Sequence, residues 1–407
     1  MAKKPSSMNP FNLGQTEMLA KEEMLAVEDY RRIITVGIPK GMQDIDYTVP
    51  LTPESVELLT RNNHRVYIEN GAGMTANYTD NNYSERGGII TGDRAQVFSA
   101  DIILKCSPFT CEESELLRGS QVLISSLHKD NNTKDFIKKL ISKRTSAIAF
   151  ENINDNSGLY PIEQSLNAIS GTASILLAGE LLSKKTKGKG VLLGSVAGIT
   201  PTEIVILGAG TAGEFAARAA IGMGASVKVF DNSISRLQIL RDKLGQHVYT
   251  SVYFPQVLQK ALKSAEVVIG ALPNDQYTSS LWVSEELVKE MKKDSIIIDL
   301  NVARGGCFET SELRTLKDPV FTKFGVIHYC APNITSRVSR TASIALSNIF
   351  SSMLIRMDQQ GGIVKLLKKD TELRQGVYLF NGILTNSHIG QHYDLPYQDI
   401  GLLLSAF

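Results

Sequence analysis

The residues with the most specific chemistry lie between positions 203 and 231, in EIVILGAGTAGEFAARAAIGMGASVKVFD. Gly208, Gly210 and Gly213 follow an apolar run at 204–207 and precede a helix-period stretch at 214–223. A second apolar run, 227–230, ends on Asp231. Strand, glycine turn, helix, strand and acid in this order form the dinucleotide-binding βαβ fingerprint. Gly208 permits the tight turn, Gly210 lets backbone approach a pyrophosphate, and Gly213 lets helix and strand pack closely. The backbone of Gly208, Ala209, Gly210, Thr211, Ala212 and Gly213 is expected to carry the pyrophosphate on the positive end of the helix. Asp231 is expected to accept hydrogen bonds from the adenosine ribose. That acid favours NAD over NADP, and nearby Arg236 keeps NADP open. A further candidate is His128, in SSLHKD, just beyond an apolar run. Its near-neutral proton affinity suits proton shuttling, although a single histidine at a strand end is more often a structural group.

Such groups need a sheet to hold them. From residue 33 the patterns ITVGI, RVYIE, DIILKC, QVLISS and AIAFE alternate with helical stretches such as EESELLR and TKDFIKKLIS. Thr52-Pro53-Glu54 reads as a helix start, with a capping Thr and Pro at the first helical position. This alternation predicts an α/β fold with a doubly wound parallel sheet. The first half lacks GxGxxG and is expected to hold the substrate. A long helix from Pro161 to about residue 184 is expected to bridge the halves, followed by a Gly-rich hairpin flap at 185–202. A helical stretch at 339–356 is expected to return to the first half. In the tail, GIVKLLKK and GVYLFNGILT read as helices, with a polar loop around His392 and Pro396. Residues 1–32 read as an N-terminal extension.

The 407 residues suffice for two domains, and 43 basic against 42 acidic residues leave a net charge of +1. That balance points to no nucleic-acid partner. No apolar run is read as membrane-spanning, and the start lacks a secretory pattern, so a cytoplasmic location without membrane contact is expected. Cys106, Cys111, Cys307 and Cys330 are too few and scattered for a disulfide framework and are expected to be reduced and structural. The six histidines show no metal-binding spacing, so no metal is expected.

Taken together, VGIPKG, LTPESV, ENGAG, ADIILK, SLH, AIAFE, VLLGSVAGITPTEIVILGAGTAG, GMGASVKVFD, VVIGA, IIDLNVARGGCFE and HYCAPN resemble the alanine dehydrogenase and nicotinamide nucleotide transhydrogenase alpha-subunit family. They follow the family's order from about residue 33 to beyond Asn333, nearer the free-standing alanine dehydrogenases. The resemblance implies two Rossmann-type domains separated by a cleft. Residues 33–161 with 340–407 are expected to form the substrate domain, and 162–339 the NAD-binding domain. It also implies NAD-dependent oxidation of L-alanine to pyruvate and ammonia in a homo-oligomer, a hexamer or dimer. It makes His128 the catalytic acid/base.

Three family positions differ. Thr48 stands where the family has an Arg for the substrate carboxylate, Ser107 where it has a Lys, and Ala303 where it has an Asp. Losing two cationic partners, each contributing about 1.5–3 kcal/mol, weakens carboxylate binding by orders of magnitude unless other cations replace them. Lys105, Lys129, Arg304, Arg337 and Arg340 are the candidates. Lys105, Ser107, Arg304 and Asn333 are taken as the substrate-side residues. Two readings follow: a small amino- or oxo-acid dehydrogenase with rearranged contacts, or an NAD-binding relative without turnover that acts as sensor or assembly partner.

Overall fold

The computed structural model describes residues 33–42, 44–127, 133–155, 158–184, 188–272 and 282–405. The 1–32 extension, His128 and Lys129 lie outside the described residues. The chain builds two sheets. The first takes β1 (Thr35–Ile38), β2 (Arg65–Glu69), β3 (Ile89–Thr91), β4 (Ile102–Leu104), β5 (Val122–Ser125) and β6 (Ser146–Ala149). The second takes β7 (Glu203–Leu207), β8 (Ser226–Phe230), β9 (Val248–Ser251), β10 (Val267–Gly270), β11 (Ile296–Asp299), β12 (Val320–Lys323) and β13 (Val326–Tyr329). Then β14 (Val377–Phe380) and β15 (Ile383–Leu384) rejoin the first.

The orders are β15-β14-β6-β5-β4-β1-β2-β3 and β12-β13-β11-β10-β7-β8-β9. Each order reverses beside the sheet's first strand, between β1 and β4 and between β7 and β10. Open α/β sheets bind ligands at such switch points. Runs such as IVIL and VVIG, and the three isoleucines that open β11, are apolar because both faces are covered. Ile204 and Ile206 face one core of the second sheet, and Val205 and Leu207 the other.

The helix Pro161–Leu182 runs between the sheets, with Pro161 at its start. Gly171 lets it lie against the helix Thr211–Gly222: a Cβ there would fall 2.2 Å from the Ala212 carbonyl oxygen. This helix corrects one expectation. At 22 residues it is long and apolar enough to cross a membrane by length and composition alone. Here its small residues pack on a neighbouring helix, which explains the apolar character. The helix Ser339–Gln359 buries Leu346, Phe350, Met353 and Leu354 in the first sheet's core, as its pattern predicts.

Three other readings change. GVYLFNGILT is a β-hairpin, not a helix. Asn381 and Gly382 turn with φ of 48° and 80°, and the Asn-Gly pair is a hairpin signal that the apolar run masked. The loop around His392 holds a short helix, Ser387–Tyr393. The sheets are mixed, because β12, β14 and β15 pair antiparallel at one edge of each.

His328 in β13 is fully buried, stacked on Phe321 and held between Thr310 Oγ1 at 2.8 Å and the Val326 carbonyl at 3.0 Å. Burial holds its proton affinity down at about 4, against 6.5 in the unfolded chain. The imidazole is neutral when folded, so its contribution is present above pH 6.5 and is lost as pH falls toward 4. The loss is about 3 kcal/mol. Thermal midpoints of the wild type are expected to fall more steeply over that window than those of His328→Asn.

Candidate active site

The fingerprint turn folds at the β7/β10 switch point. Leu207 pairs with Gly270, and the chain leaves β7 through Gly208 at φ 112°. A Cβ on Gly208 would fall 2.3 Å from the Ala271 carbonyl oxygen, and one on Gly213 would fall 1.9 Å from the Gly208 carbonyl oxygen. Both glycines are therefore required by backbone-on-backbone contact. Gly210 differs: nothing lies within 4 Å of its Cβ position. That leaves space over the start of the helix, where the amides of Thr211, Ala212 and Gly213 have no intrahelical acceptor. The arrangement fits a diphosphate set on a helix N-terminus.

Asp231 lies at the tip of β8 and is buried. Its Oδ2 accepts the Ala209 amide at 2.8 Å, and its Oδ1 accepts the Ser233 amide at 2.7 Å. The acid thus clamps the glycine turn, and each oxygen keeps a lone pair for a ribose hydroxyl. Arg236 is exposed on the next helix, Ile234–Leu244, and its amide donates to Ser233 Oγ.

The first sheet's switch point brings the 40–49 loop against the 105–107 turn. Ser107 is buried, and its Oγ accepts the Met42 amide at 3.2 Å. Thr48 turns its hydroxyl onto Asp46 Oδ1 at 2.8 Å. Asp46 also accepts Ser336 Oγ at 3.4 Å, and burial pushes its carboxyl above the usual range. Where the family places two cations, this corner holds two hydroxyls and a buried acid. The loop is stitched in place through its backbone: Tyr47, Val49 and Thr52 amides donate to Ser336, Ser343 and Ser347 hydroxyls at 3.1, 2.9 and 2.9 Å. Asn333, at φ 50°, donates to the Ile45 carbonyl at 3.0 Å.

The described candidate cations are already engaged. Lys105 is 1% exposed, with Nζ 2.8 and 2.9 Å from the Glu113 carboxylate oxygens and 3.0 Å from the Pro108 carbonyl. Sequence spacing set Lys105 on the face of Ser107; the structure instead closes it into a buried ion pair. Arg337 pairs with Glu180, and Arg340 lies over the Tyr78 ring with the Asn77 carbonyl as acceptor. Arg304, in the turn after β11, pairs with Glu163 of the bridging helix at 2.8 Å. Ala303 beside it is exposed.

Two groups escaped the sequence reading. Glu151, just past β6, binds the Leu127 amide through Oε1 at 2.5 Å, directly before His128 in the chain. Its Oε2 is closed to solvent and has no hydrogen-bond partner among the described residues. Burial raises this carboxyl to about 7, and the Arg304 charge only partly opposes the rise. Lys40, at the end of β1, leans over the Asn70–Gly73 turn, its Nζ 3.7 Å from the Cβ position of Gly71. AIAFE and VGIPKG carry both residues, but only tertiary contacts reveal the unpaired oxygen.

Comparison with known proteins agrees with the architecture. Residues 37–176 match the model for the alanine dehydrogenase/PNT N-terminal domain, and 174–387 that for the alanine dehydrogenase/PNT C-terminal domain. An alanine dehydrogenase of Methanococcus maripaludis is 35% identical over 89% of this chain and 97% of its own. One of Staphylococcus saprophyticus is 32% identical over 90% and 98%. A solved L-alanine dehydrogenase superposes with a TM-score of 0.82 at 30% identity, covering 89% of this chain and 99% of that one. A transhydrogenase from Sinorhizobium meliloti shares the fold, with a TM-score of 0.73 at 22% identity over 86% and 99%. With both domain models matched in order and the two-sheet architecture in common, the chain belongs to the alanine dehydrogenase/PNT family.

Proposed function

We propose that the chain is an NAD-dependent oxidoreductase acting on the CH–NH2 group of a small amino acid, with L-alanine, water and NAD giving pyruvate, ammonia and NADH. The observation that carries this reading is the glycine turn: open at Gly210, closed by backbone contact at Gly208 and Gly213, and clamped by Asp231. When bound, NAD supplies the acceptor for the electron pair that leaves the substrate Cα with its hydrogen. The amides of residues 208–213 hold the diphosphate, and Asp231 holds the ribose hydroxyls and disfavours a 2′-phosphate. Residue His128 carries protons as water adds to the imine carbon and ammonia departs. Assembly into a homo-oligomer is part of the reading. In support, Leu176 on the bridging helix and Leu192 and Ile199 of the following segment are 60%, 66% and 66% exposed.

A second reading, cofactor binding without turnover, is favoured by one observation. Thr48 and Ser107 are spent on Asp46 and on a loop amide, leaving that corner without a cation among those two positions. Purified protein incubated with NAD and L-alanine distinguishes the two through NADH absorbance. NADH formation is expected; its absence with alanine and a panel of small amino acids, despite NADH binding, overturns the enzyme reading in favour of the second.

Two substitutions test the cofactor site by NADH fluorescence titration. Asp231→Asn is expected to weaken NADH binding about tenfold or more, the loss of a charge-assisted hydrogen bond, and to narrow the preference over NADPH. Gly210→Ala is expected to leave thermal stability unchanged while weakening NADH binding. Gly213→Ala is expected to cost about 1–3 kcal/mol of stability.

A further inference from the structure

We propose that the substrate corner of this chain has moved from the 40–49 loop to the turn between the sheets, where Arg304 receives the substrate carboxylate and Glu151 is the second proton carrier, in place of the aspartate absent at Ala303. The inference rests on the dehydrogenase reading above and names the residues that serve it.

Exchangeability selects Arg304. Withdrawing Lys105 from Glu113 would strand a buried charge at high cost. The Arg304–Glu163 pair has side chains 49% and 28% exposed, so parting it leaves both groups in reach of water. A substrate carboxylate can therefore take the place of Glu163 at little cost, and the planar guanidinium suits bidentate binding. Arg304 is also the cation whose charge reaches Glu151. Among the described residues, the titratable groups facing Glu151 are Arg304 from the turn after β11, Glu163 from the bridging helix and Tyr378 from β14.

Glu151 offers what a proton carrier needs. One oxygen is anchored on the Leu127 amide and the other is buried without a partner among the described residues. A buried acceptor left without a donor is destabilising, and a bound polar substrate group relieves that cost. Protonation near neutral pH lets the carboxyl serve in both directions. As water adds to the iminium carbon, its O–H bond breaks and the proton passes to the Glu151 carboxylate. Protonated His128 gives its proton to the amino nitrogen as the C–N bond breaks. It takes up the hydroxyl proton as the C=O bond forms, and the proton on Glu151 passes to solvent.

The test uses the full chain with Arg304→Gln, Glu151→Gln and, as the rival cation, Lys40→Gln. Quenching of bound NADH fluorescence by added pyruvate reports substrate-corner binding without turnover. All three variants are expected to bind NADH as the wild type does. Arg304→Gln is expected to weaken pyruvate binding by about tenfold to a hundredfold, with Lys40→Gln unchanged. Glu151→Gln is expected to keep pyruvate affinity and lose the rise of kcat with pH through about 7. It is also expected to raise the thermal midpoint above pH 7, because the folded carboxyl of the wild type loses its stabilising contribution as pH rises through that value. Normal pyruvate binding in Arg304→Gln, loss of binding in Lys40→Gln, or no pyruvate binding by the wild type would each overturn the Arg304 assignment. An unchanged kcat profile in Glu151→Gln would overturn the proton role. Arg304-dependent pyruvate binding with no NADH formed from any amino acid would sink the dehydrogenase reading and the Glu151 role, while supporting the carboxylate site.

Discussion

Backbone meeting backbone at the β7/β10 switch point is the constraint on which the rest depends. The Gly208 carbonyl lies where a side chain at 213 would begin, and the Ala271 carbonyl lies where one at 208 would begin. No L side chain fits either gap, so the helix Thr211–Gly222 starts close against the sheet and points its free amides over the edge. Asp231 reinforces the turn from β8 through the Ala209 amide. The bridging helix extends the same logic, because Gly171 brings it onto the outer side of that helix. A single close-packed stack thus ties the dinucleotide turn to the element that joins the two sheets.

This part was readable in the chain because each requirement is local. A glycine at a fixed offset, an acid at a strand tip and apolar runs of strand length are all short-range signals. The second sheet and most of the first follow from them. The failures have equally physical causes. In VYLFNGIL an apolar run suits a buried helix or a buried strand, and the Asn381-Gly382 turn decides between them. The antiparallel β12 owes its place to pairing with β13, which no local pattern announces.

The substrate corner was readable only as a set of absences. Sequence identifies that Thr48, Ser107 and Ala303 replace charged residues. It does not reveal that a buried Asp46 takes the Thr48 hydroxyl, or that Lys105 is locked to Glu113. Charge pairing depends on residues far apart in sequence: Arg304 and Glu163 are 141 residues apart, and Arg337 and Glu180 are 157 apart. The Glu151 oxygen that has no partner among the described residues belongs to the same class, since a carboxyl's pairing is set by everything packed around it.

The serine stitching of the 45–52 segment reaches beyond local packing. Ser336, Ser343 and Ser347 grip main-chain amides, which every residue except proline possesses. At 47 and 49 the grip is therefore indifferent to which side chain the segment carries, while at 52 Ser347 Oγ also reaches the Thr52 hydroxyl at 3.4 Å. A loop held this way can exchange an arginine for a threonine without changing its path. Ligand preference and scaffold integrity are thereby uncoupled, so the lineage could explore new chemistry at this corner while its architecture stayed intact.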